Sequence, residues 1–261
     1  MYRALGESPH RWPRPVELVE PPPPAPGQRT APPDFVGVGV QKAGTSWWFD
    51  LIADHPRVTA PSFKELHYFD QFFGRPFGPA DVERYARFFP RADDCITGEW
   101  TPRYVHDVWS VPLLRCAAPE AKLLVLLRDP VERYRSGLGH DLARHAPENA
   151  LVASVHVARS DYVDQLRHLF AHVDPSQVLV LQYERCQTDT AGQLARTYEF
   201  LGLDAGHVPA DLGRQVNVSL GPKPDVPDHL RGALAERYLE QLPALTELVP
   251  DLDPDLWSSL R

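Results

Sequence analysis

One short segment constrains the fold of this chain more than any other. Residues 35–47 read Phe-Val-Gly-Val-Gly-Val-Gln-Lys-Ala-Gly-Thr-Ser-Trp, an apolar β-branched run, a glycine turn and hydroxyl residues that open a helix. A buried strand that passes through a tight turn into a helix N-terminus is a backbone geometry that binds phosphate, because turn N–H groups and the helix dipole face the anion. The segment predicts an anion site at the turn, which we call the phosphate loop (residues 40–46).

The position of the lysine in this loop discriminates between phosphate ligands. A nucleotide-triphosphatase loop has Gly, four residues and then Gly-Lys-Ser/Thr. Here Lys42 comes two residues before Gly44, and Thr45 and Ser46 follow the glycine directly. The spacing differs from a Walker A loop and disfavours the alternative enzyme, a P-loop-like kinase of small molecules, which also needs a carboxylate for Mg²⁺.

The composition is typical of a single soluble domain. The chain has 261 residues and a formal net charge of −8, which argues against a nucleic-acid-binding protein because such domains are normally basic. Cys95, Cys116 and Cys186 are widely spaced in apolar surroundings and predict reduced core residues of a cytoplasmic protein. No apolar run has the length of a membrane span, and the N-terminus lacks the pattern of a signal peptide.

The order of predicted elements indicates the fold class. Several of the 28 prolines lie between residues 13 and 33, which predicts a proline-rich N-terminal arm (1–34) before one domain (35–261). Buried strands then alternate with helices, so we expect a single α/β domain with a central parallel sheet flanked by helices and ligands at the carboxyl ends of the strands. The predicted strands are 35–40, 58–60, 95–98, 121–127 and 178–181, and the predicted helices are 45–54, 80–89, 105–117, 130–144, 160–171, 190–201 and 228–248.

A second motif follows the clearest buried strand. Residues 127–136 read Leu-Arg-Asp-Pro-Val-Glu-Arg-Tyr-Arg-Ser, which places Arg128 at the strand's carboxyl end and Ser136 two turns along the next helix. A guanidinium fork and a hydroxyl in this arrangement are suited to gripping one phosphate.

Together the two motifs resemble those of sulfotransferases that use 3′-phosphoadenosine 5′-phosphosulfate (PAPS). Strand, Lys-x-Gly-Thr-Ser and helix, followed about 85 residues later by strand and Arg-Asp-Pro-x-x-Arg-x-x-Ser, are similar to the two cofactor motifs of that family. Segments 62–70, 161–166, 178–184 and 199–203 extend the similarity to its bacterial and heparan-sulfotransferase-like branch. The resemblance covers residues 35–203 and, more loosely, the C-terminal helix, and it implies the P-loop-like sulfotransferase fold.

The resemblance implies a cofactor and the residues that hold it. PAPS would donate its sulfuryl group in line to a hydroxyl or amine and leave adenosine 3′,5′-bisphosphate (PAP), with no metal required. Lys42 is the implied catalytic cation, because fixed charge at the reacting oxygens supplies most of the acceleration. The implied cofactor-binding residues are Lys42, Ala43, Gly44, Thr45, Ser46 and Trp47 in the first motif, Arg128 and Ser136 in the second, and Lys223 in a closing loop.

Two residues compete for the role of the base that deprotonates the acceptor. Glu65 matches the catalytic glutamate of the family's Lys-Glu-x-x-Phe-Phe-Asp segment, and its aromatic neighbours predict that desolvation raises its pKa toward neutrality. His67 ordinarily titrates near neutral pH, and in an extended segment it lies on the same face as Glu65. The sequence does not separate the two.

One position departs from the family pattern. Residues 98–104 correspond to a segment Glu-Lys-Thr/Ser-Pro-x-Tyr, but Trp100 takes the place of its lysine. Either Lys42 acts alone, or Lys64 or Arg103 supplies the missing charge. The tryptophan either stacks on an acceptor ring or packs in the core. This departure is the best support for another hypothesis, a catalytically inactive nucleotide-binding homologue.

The acceptor is expected to be a small molecule of secondary metabolism, a glycolipid or a carbohydrate. A long polyanion such as heparan sulfate is disfavoured, because the chain is acidic and such a ligand needs a basic groove. Four of the six tryptophans lie near the predicted site and favour an apolar or aromatic acceptor; they are Trp47, Trp48, Trp100 and Trp109. The oligomeric state stays open.

Overall fold

A four-stranded parallel sheet organises the protein. The computed structural model describes residues 20–143, 150–213 and 224–261. Its strands, in chain order, are β1 (Arg29–Thr30), β2 (Phe35–Gly39), β3 (Pro90–Arg91), β4 (Gly98–Trp100), β5 (Lys122–Leu127) and β6 (Val178–Gln182). The central sheet has the order β4-β2-β5-β6, and every neighbouring pair in it is parallel. This arrangement confirms the predicted fold class.

The apolar character of the central strands explains their place in the sheet. All five residues of β2 are buried, as are five of the six residues of β5. A strand covered on both faces cannot alternate polar and apolar residues, so continuous Val and Leu runs are typical of it. Gly37 lets β4 approach β2 closely, because a Cβ at this position would lie 1.9 Å from the ring of Trp100.

Helices flank the sheet and mostly match the predicted positions. They are α1 (Thr45–Ala53), α2 (Pro79–Ala86), α3 (Ser110–Ala117), α4 (Pro130–Leu142), α5 (Ala150–Ala158), α6 (Tyr162–His172), α7 (Tyr183–Thr188), α8 (Thr190–Leu201) and α9 (Asp228–Leu248). Among the described residues, no helix combines the length and the apolar character that crossing a bilayer requires.

Several boundaries differ from the sequence prediction for identifiable reasons. The predicted helix 105–117 begins only at Ser110, because the backbone N–H of Val105 bonds to the carbonyl of Val38 and holds this segment along β2. The predicted strand 95–98 begins three residues later, at Gly98, and ends at Trp100, whereas 58–60 forms only an isolated bridge at Val58. The sequence analysis missed α5 and α7, since α5 is almost uniformly apolar and α7 is one short polar stretch without helical periodicity.

Part of the predicted arm contacts the domain. Strand β1 pairs antiparallel with β3, and Arg91 donates to the carbonyls of Ala31 and Pro32. The division of the chain at residue 34 stays a prediction.

The prediction that all three cysteines are core residues is correct for one of them only. All three are free, but only Cys186 is buried; Cys95 is partly exposed and Cys116 is exposed.

Candidate active site

The carboxyl ends of the parallel strands bring the two predicted motifs together. The phosphate loop follows β2 and Arg128 follows β5, its direct neighbour in the sheet. The guanidinium Nη1 of Arg128 donates to the backbone carbonyl of Lys42 at 3.0 Å. A contact between residues 86 positions apart in the chain thus joins the motifs into one site.

The phosphate loop has the backbone of an anion-binding turn. Lys42 has a φ of 70° and Gly44 a φ of 84°, and α1 begins at the next residue, Thr45. Left-handed residues before a helix N-terminus turn successive N–H groups toward a common concave side. Thr45 is buried, whereas Ser46 and Trp47 are partly exposed.

Tyr183 supports both motifs and is a residue that the sequence analysis did not single out for the site. A Cβ at Gly44 would lie 2.6 Å from the Tyr183 ring, and the guanidinium of Arg128 lies 4.8 Å from the centre of the same ring. The ring of Trp47 packs edge-on against it at 6.1 Å. Tyr183 directly follows β6, so its position at a strand's carboxyl end was the available signal.

Arg128 retains an unused donor. Its Nε is buried and has no hydrogen-bond partner among the described residues, although burying an unpaired N–H costs free energy. Ser136 is also buried, on α4. An unsatisfied guanidinium N–H beside the phosphate loop fits a site that binds an anion.

Two C-terminal residues, Trp257 and Ser259, form hydrogen bonds that hold the turn carrying Arg128; we call this contact the C-terminal clamp. Asp129 caps α4 by accepting from the N–H groups of Val131 and Glu132, and it also accepts from the N–H and the hydroxyl of Ser259. Glu184 accepts from the backbone N–H of Asp129 and from the indole N–H of Trp257. The sequence analysis did not anticipate this clamp, because no local pattern links residues 130 positions apart.

Lys42 contacts α4. Its Nζ lies 3.3 Å from Nδ1 of His140. A protonated lysine has only donors, so Nδ1 of His140 is the acceptor in this contact.

Glu65, His67 and Asp70 form one hydrogen-bonded network. Nδ1 of His67 lies 2.8 Å from Asp70, and its Nε2 lies 3.4 Å from Glu65. The other carboxylate oxygen of Glu65 lies 2.7 Å from Nζ of Lys64. The structure thus places both candidate bases side by side.

The charges in this network differ from the sequence prediction. Burial raises the pKa of Glu65, but hydrogen bonds and positive charge from His67 and Lys64 outweigh it and lower that pKa to about 2. The predicted shift toward neutrality is therefore wrong. Burial lowers the pKa of His67, but hydrogen bonds to Asp70 and Glu65 raise it to about 10. At neutral pH the network holds an ionised Glu65 and a protonated His67.

Trp100 is a core residue. Its ring is fully buried against Gly37, and its indole N–H donates to the carbonyl of Gly39 at 3.2 Å. A buried ring cannot stack on an acceptor, so of the two interpretations the core aromatic holds. Trp48 is likewise buried, which weakens the case for an aromatic acceptor.

Lys64 contacts the phosphate loop, whereas Arg103 is paired with carboxylates. Nζ of Lys64 is 3.5 Å from the hydroxyl of Thr45 and 3.5 Å from the backbone carbonyl of Trp100. The Nε of Arg103 is 2.6 Å from Asp107. Lys223 lies outside the described residues, so its predicted contact with the cofactor stays a prediction.

Comparison with known proteins agrees with this geometry. Residues 32–216 match the Sulfotransferase domain family. The chain belongs to the sulfotransferase family.

Relatives of this chain include human heparan sulfate glucosamine 3-O-sulfotransferase 6, 30% identical over 194 residues that cover 68% of this chain and 54% of the relative. Another is the membrane-associated sulfotransferase kil1 of Dictyostelium discoideum, 32% identical over 117 residues, or 43% of this chain and 24% of the relative. The chain thus spans no more than about half the length of these relatives. The solved sulfotransferase from Alicyclobacillus acidocaldarius has the same fold, with a TM-score of 0.70, 21% identity and coverage of 87% and 99% of the two chains.

Proposed function

We propose that this protein transfers the sulfuryl group of PAPS to a hydroxyl or amine of a small-molecule, glycolipid or carbohydrate acceptor. The observation that carries the proposal is the hydrogen bond from Arg128 to the Lys42 carbonyl, which joins the two cofactor motifs at adjacent strand ends. Family membership supports the reaction class and the donor.

The proposed cofactor site uses the residues that the sequence motifs predict. The phosphate loop, with Lys42, Thr45 and Ser46, would hold the 5′-phosphosulfate, and Trp47 lies at the start of the same helix. Arg128 and Ser136 would hold the 3′-phosphate, and the unpaired Nε of Arg128 is a donor for it. PAPS, when bound, supplies the sulfuryl group and a leaving group that takes up the electron pair.

Two lysines would stabilise the charge that develops on the reacting oxygens. Lys42 lies in the phosphate loop itself, and its bond to His140 orients its ammonium group. Lys64 reaches the same loop at Thr45 and supplies the charge that Trp100 cannot.

Glu65 is the better candidate for the base. At neutral pH His67 is protonated on both nitrogens, which donate to Asp70 and Glu65, so it has no lone pair for a proton. The ionised carboxylate of Glu65 can accept the acceptor's proton. In this assignment His67 is a positioning residue.

The reaction is tested by incubating the protein with PAPS and a panel of phenols, glycolipids and sugars and measuring PAP release. We expect acceptor-dependent release that Lys42→Met lowers by about 100-fold or more. Release that Lys42→Met leaves unchanged would contradict the assignment of the site. No release with any acceptor, despite PAP binding, would favour the inactive homologue.

A further inference from the structure

The segment that carries the candidate base lies outside the helices and strands. Residues 65–67, which include Glu65 and His67, form no regular secondary structure, and Glu65 is exposed. His67 has a φ of 51°, a left-handed backbone conformation that is uncommon for residues other than glycine. The backbone N–H groups of such a segment need acceptors from elsewhere in the fold. We call residues 65–68 the base segment.

Three buried side chains on or just after β4 provide these acceptors. Each accepts a hydrogen bond from one of three successive backbone N–H groups of the base segment; the pairs are Leu66 to Glu99 at 3.1 Å, His67 to the hydroxyl of Thr101 at 3.2 Å and Tyr68 to the hydroxyl of Tyr104 at 2.8 Å. Side chains thus do for this segment what a neighbouring strand does in a sheet.

Glu99 links the three acceptors. Its carboxylate is fully buried, and each of its oxygens accepts two hydrogen bonds; the donors are the N–H of Leu66 and the hydroxyls of Thr101 at 2.6 Å, Tyr85 at 2.8 Å and Tyr104 at 3.1 Å. Burial raises the pKa of Glu99, and these four hydrogen bonds oppose that shift. Because a carboxylate only accepts, the hydroxyl protons of Thr101 and Tyr104 point to Glu99 and leave their lone pairs to the base segment.

Strand β4 relates the base segment to the phosphate loop. Glu99 pairs with Val36 of β2, the strand that leads into the phosphate loop. The backbone N–H of Trp100 also donates to the carbonyl of Lys64, the residue before the base segment, at 2.7 Å. A polar network whose members are all bonded specifies one geometry, so the candidate base is held relative to the sheet and to the loop that follows β2.

We propose that Glu99 is a positioning residue of the reaction, which holds Glu65 in place through its own carboxylate and through the hydroxyls of Thr101 and Tyr104. The inference rests on the proposed function and on Glu65 as its base. Glu99 is fully buried, so it acts through the base segment and not on the acceptor. A displacement on the order of 1 Å can lower a rate by about 100-fold, so losing the network should reduce turnover more than cofactor binding.

Two tyrosines form a matched pair of variants. Tyr85 and Tyr104 are both fully buried and both donate to Oε1 of Glu99, and Tyr104 in addition accepts from the base segment. The measurement is the Glu65 carboxyl-carbon NMR signal of the ligand-free protein from neutral pH down to about pH 4. We expect Tyr104→Phe to loosen the contact of Glu65 with His67, so that Glu65 begins to titrate in this range. Tyr85→Phe should leave the signal constant, as in the wild type.

Substitutions at Thr101 and Glu99 probe the rest of the network. Thr101→Val removes the acceptor of the His67 N–H at nearly constant volume and should change the Glu65 titration as Tyr104→Phe does. Thr101→Ser keeps the hydroxyl and should restore the wild-type titration. Glu99→Gln replaces one acceptor oxygen by a donor and should also make Glu65 titrate in this range.

Kinetics supply the second measurement, with the acceptor of the panel that gives the fastest PAP release. Tyr104→Phe and Thr101→Val should lower kcat by about tenfold or more and leave the KM for PAPS within about twofold, whereas Tyr85→Phe should lower kcat by no more than about threefold. An unchanged Glu65 titration or an unchanged kcat in Tyr104→Phe and Thr101→Val would overturn the inference, and so would equal effects of Tyr85→Phe. Failure of the proposed function would appear instead as a wild type that releases no PAP, and the NMR comparison does not depend on turnover.

Discussion

Trp100 occupies a position where the family often has a lysine, and Gly37 in the neighbouring strand leaves room for its ring. Its indole fills the space that Gly37 leaves in the neighbouring strand, since a Cβ there would lie 1.9 Å from the ring. The cation is retained in another segment, because Nζ of Lys64 lies 3.5 Å from the Trp100 carbonyl. A substitution that looks inactivating in the sequence is thus compatible with a charged site.

The Glu65–His67 pair gives a prediction about pH. The pKa of Glu65 is lowered to about 2, and His67 is the first of the groups that lower it. In the wild type, the Glu65 carboxyl-carbon NMR signal should therefore stay constant from neutral pH down to about pH 4. His67→Gln removes the positive charge of His67, so the pKa of Glu65 should rise and its signal should begin to change between neutral pH and pH 4.

The variant Asp70→Asn tests the effect of the Asp70 charge on His67 with a side chain of nearly the same size. Asp70→Asn removes one of the hydrogen bonds that raise the pKa of His67 to about 10, so the His67 ring should lose its proton at lower pH than in the wild type. A Glu65 titration that is identical in the wild type and in His67→Gln would refute the coupling.

At the scale of elements, the phosphate loop depends on its contact with the start of α7. Gly44 has a φ of 84°, and a Cβ there would lie 2.6 Å from the ring of Tyr183. Gly44→Ala should therefore combine backbone strain with overpacking and cost about 3 kcal/mol of unfolding free energy. Denaturant unfolding measures this cost, and PAP affinity should fall with it.

Gly202 provides the matched control. Its φ is 79°, but a Cβ there would meet nothing within 4 Å. Gly202→Ala should cost only the strain, about 1–2 kcal/mol. Tyr183→Leu in the Gly44→Ala background should recover part of the larger loss. Equal costs for the two alanine variants would show that the Tyr183 contact does not constrain the loop.

The C-terminal clamp gives a second prediction at this scale. Ser259 binds Asp129, the residue after Arg128, through its backbone N–H and its hydroxyl. Ser259→Ala removes one hydrogen bond to a carboxylate and should cost about 1–2 kcal/mol of unfolding free energy. By loosening the Arg128 turn, it should weaken PAP binding by up to about tenfold.

Calorimetry with PAP measures this effect, with Ser258→Ala as the control. Ser258 is exposed next to Ser259, so its substitution should change neither stability nor affinity. Full PAP affinity in Ser259→Ala would mean that the C-terminal segment stabilises the fold without positioning Arg128.

At the scale of the whole molecule, the sequence predicts the sheet better than its connections. Apolar runs such as β5 identify buried strands, because both faces of a parallel sheet exclude polar residues. Helix α7 and the delayed start of α3 were not predictable in this way. Both depend on what the segment packs against, as the bond from Val105 to Val38 illustrates.

The candidate site shows the same division. The motif residues Lys42, Glu65 and Arg128 follow from local pattern and resemblance, and the structure places them at one end of the sheet. The residues that support them could not be predicted from a local pattern. Tyr183 and Ser259 are distant in the chain, and only the fold brings them to Arg128 or its turn. The protonation state of Glu65 likewise depends on tertiary contacts, which explains why its pKa was predicted in the wrong direction.

Calorimetric titration with PAP tests the central claim most directly, with ADP plus Mg²⁺ in parallel. Arg128→Ala is the test variant, and Arg167→Gln, which changes an exposed arginine on α6, is the control. We predict that the wild type and Arg167→Gln bind PAP with a Kd on the order of 1 μM, that Arg128→Ala does not, and that ADP binds far more weakly. Tighter binding of ADP than of PAP, or PAP binding that Arg128→Ala leaves intact, would contradict a PAPS site built from the two motifs.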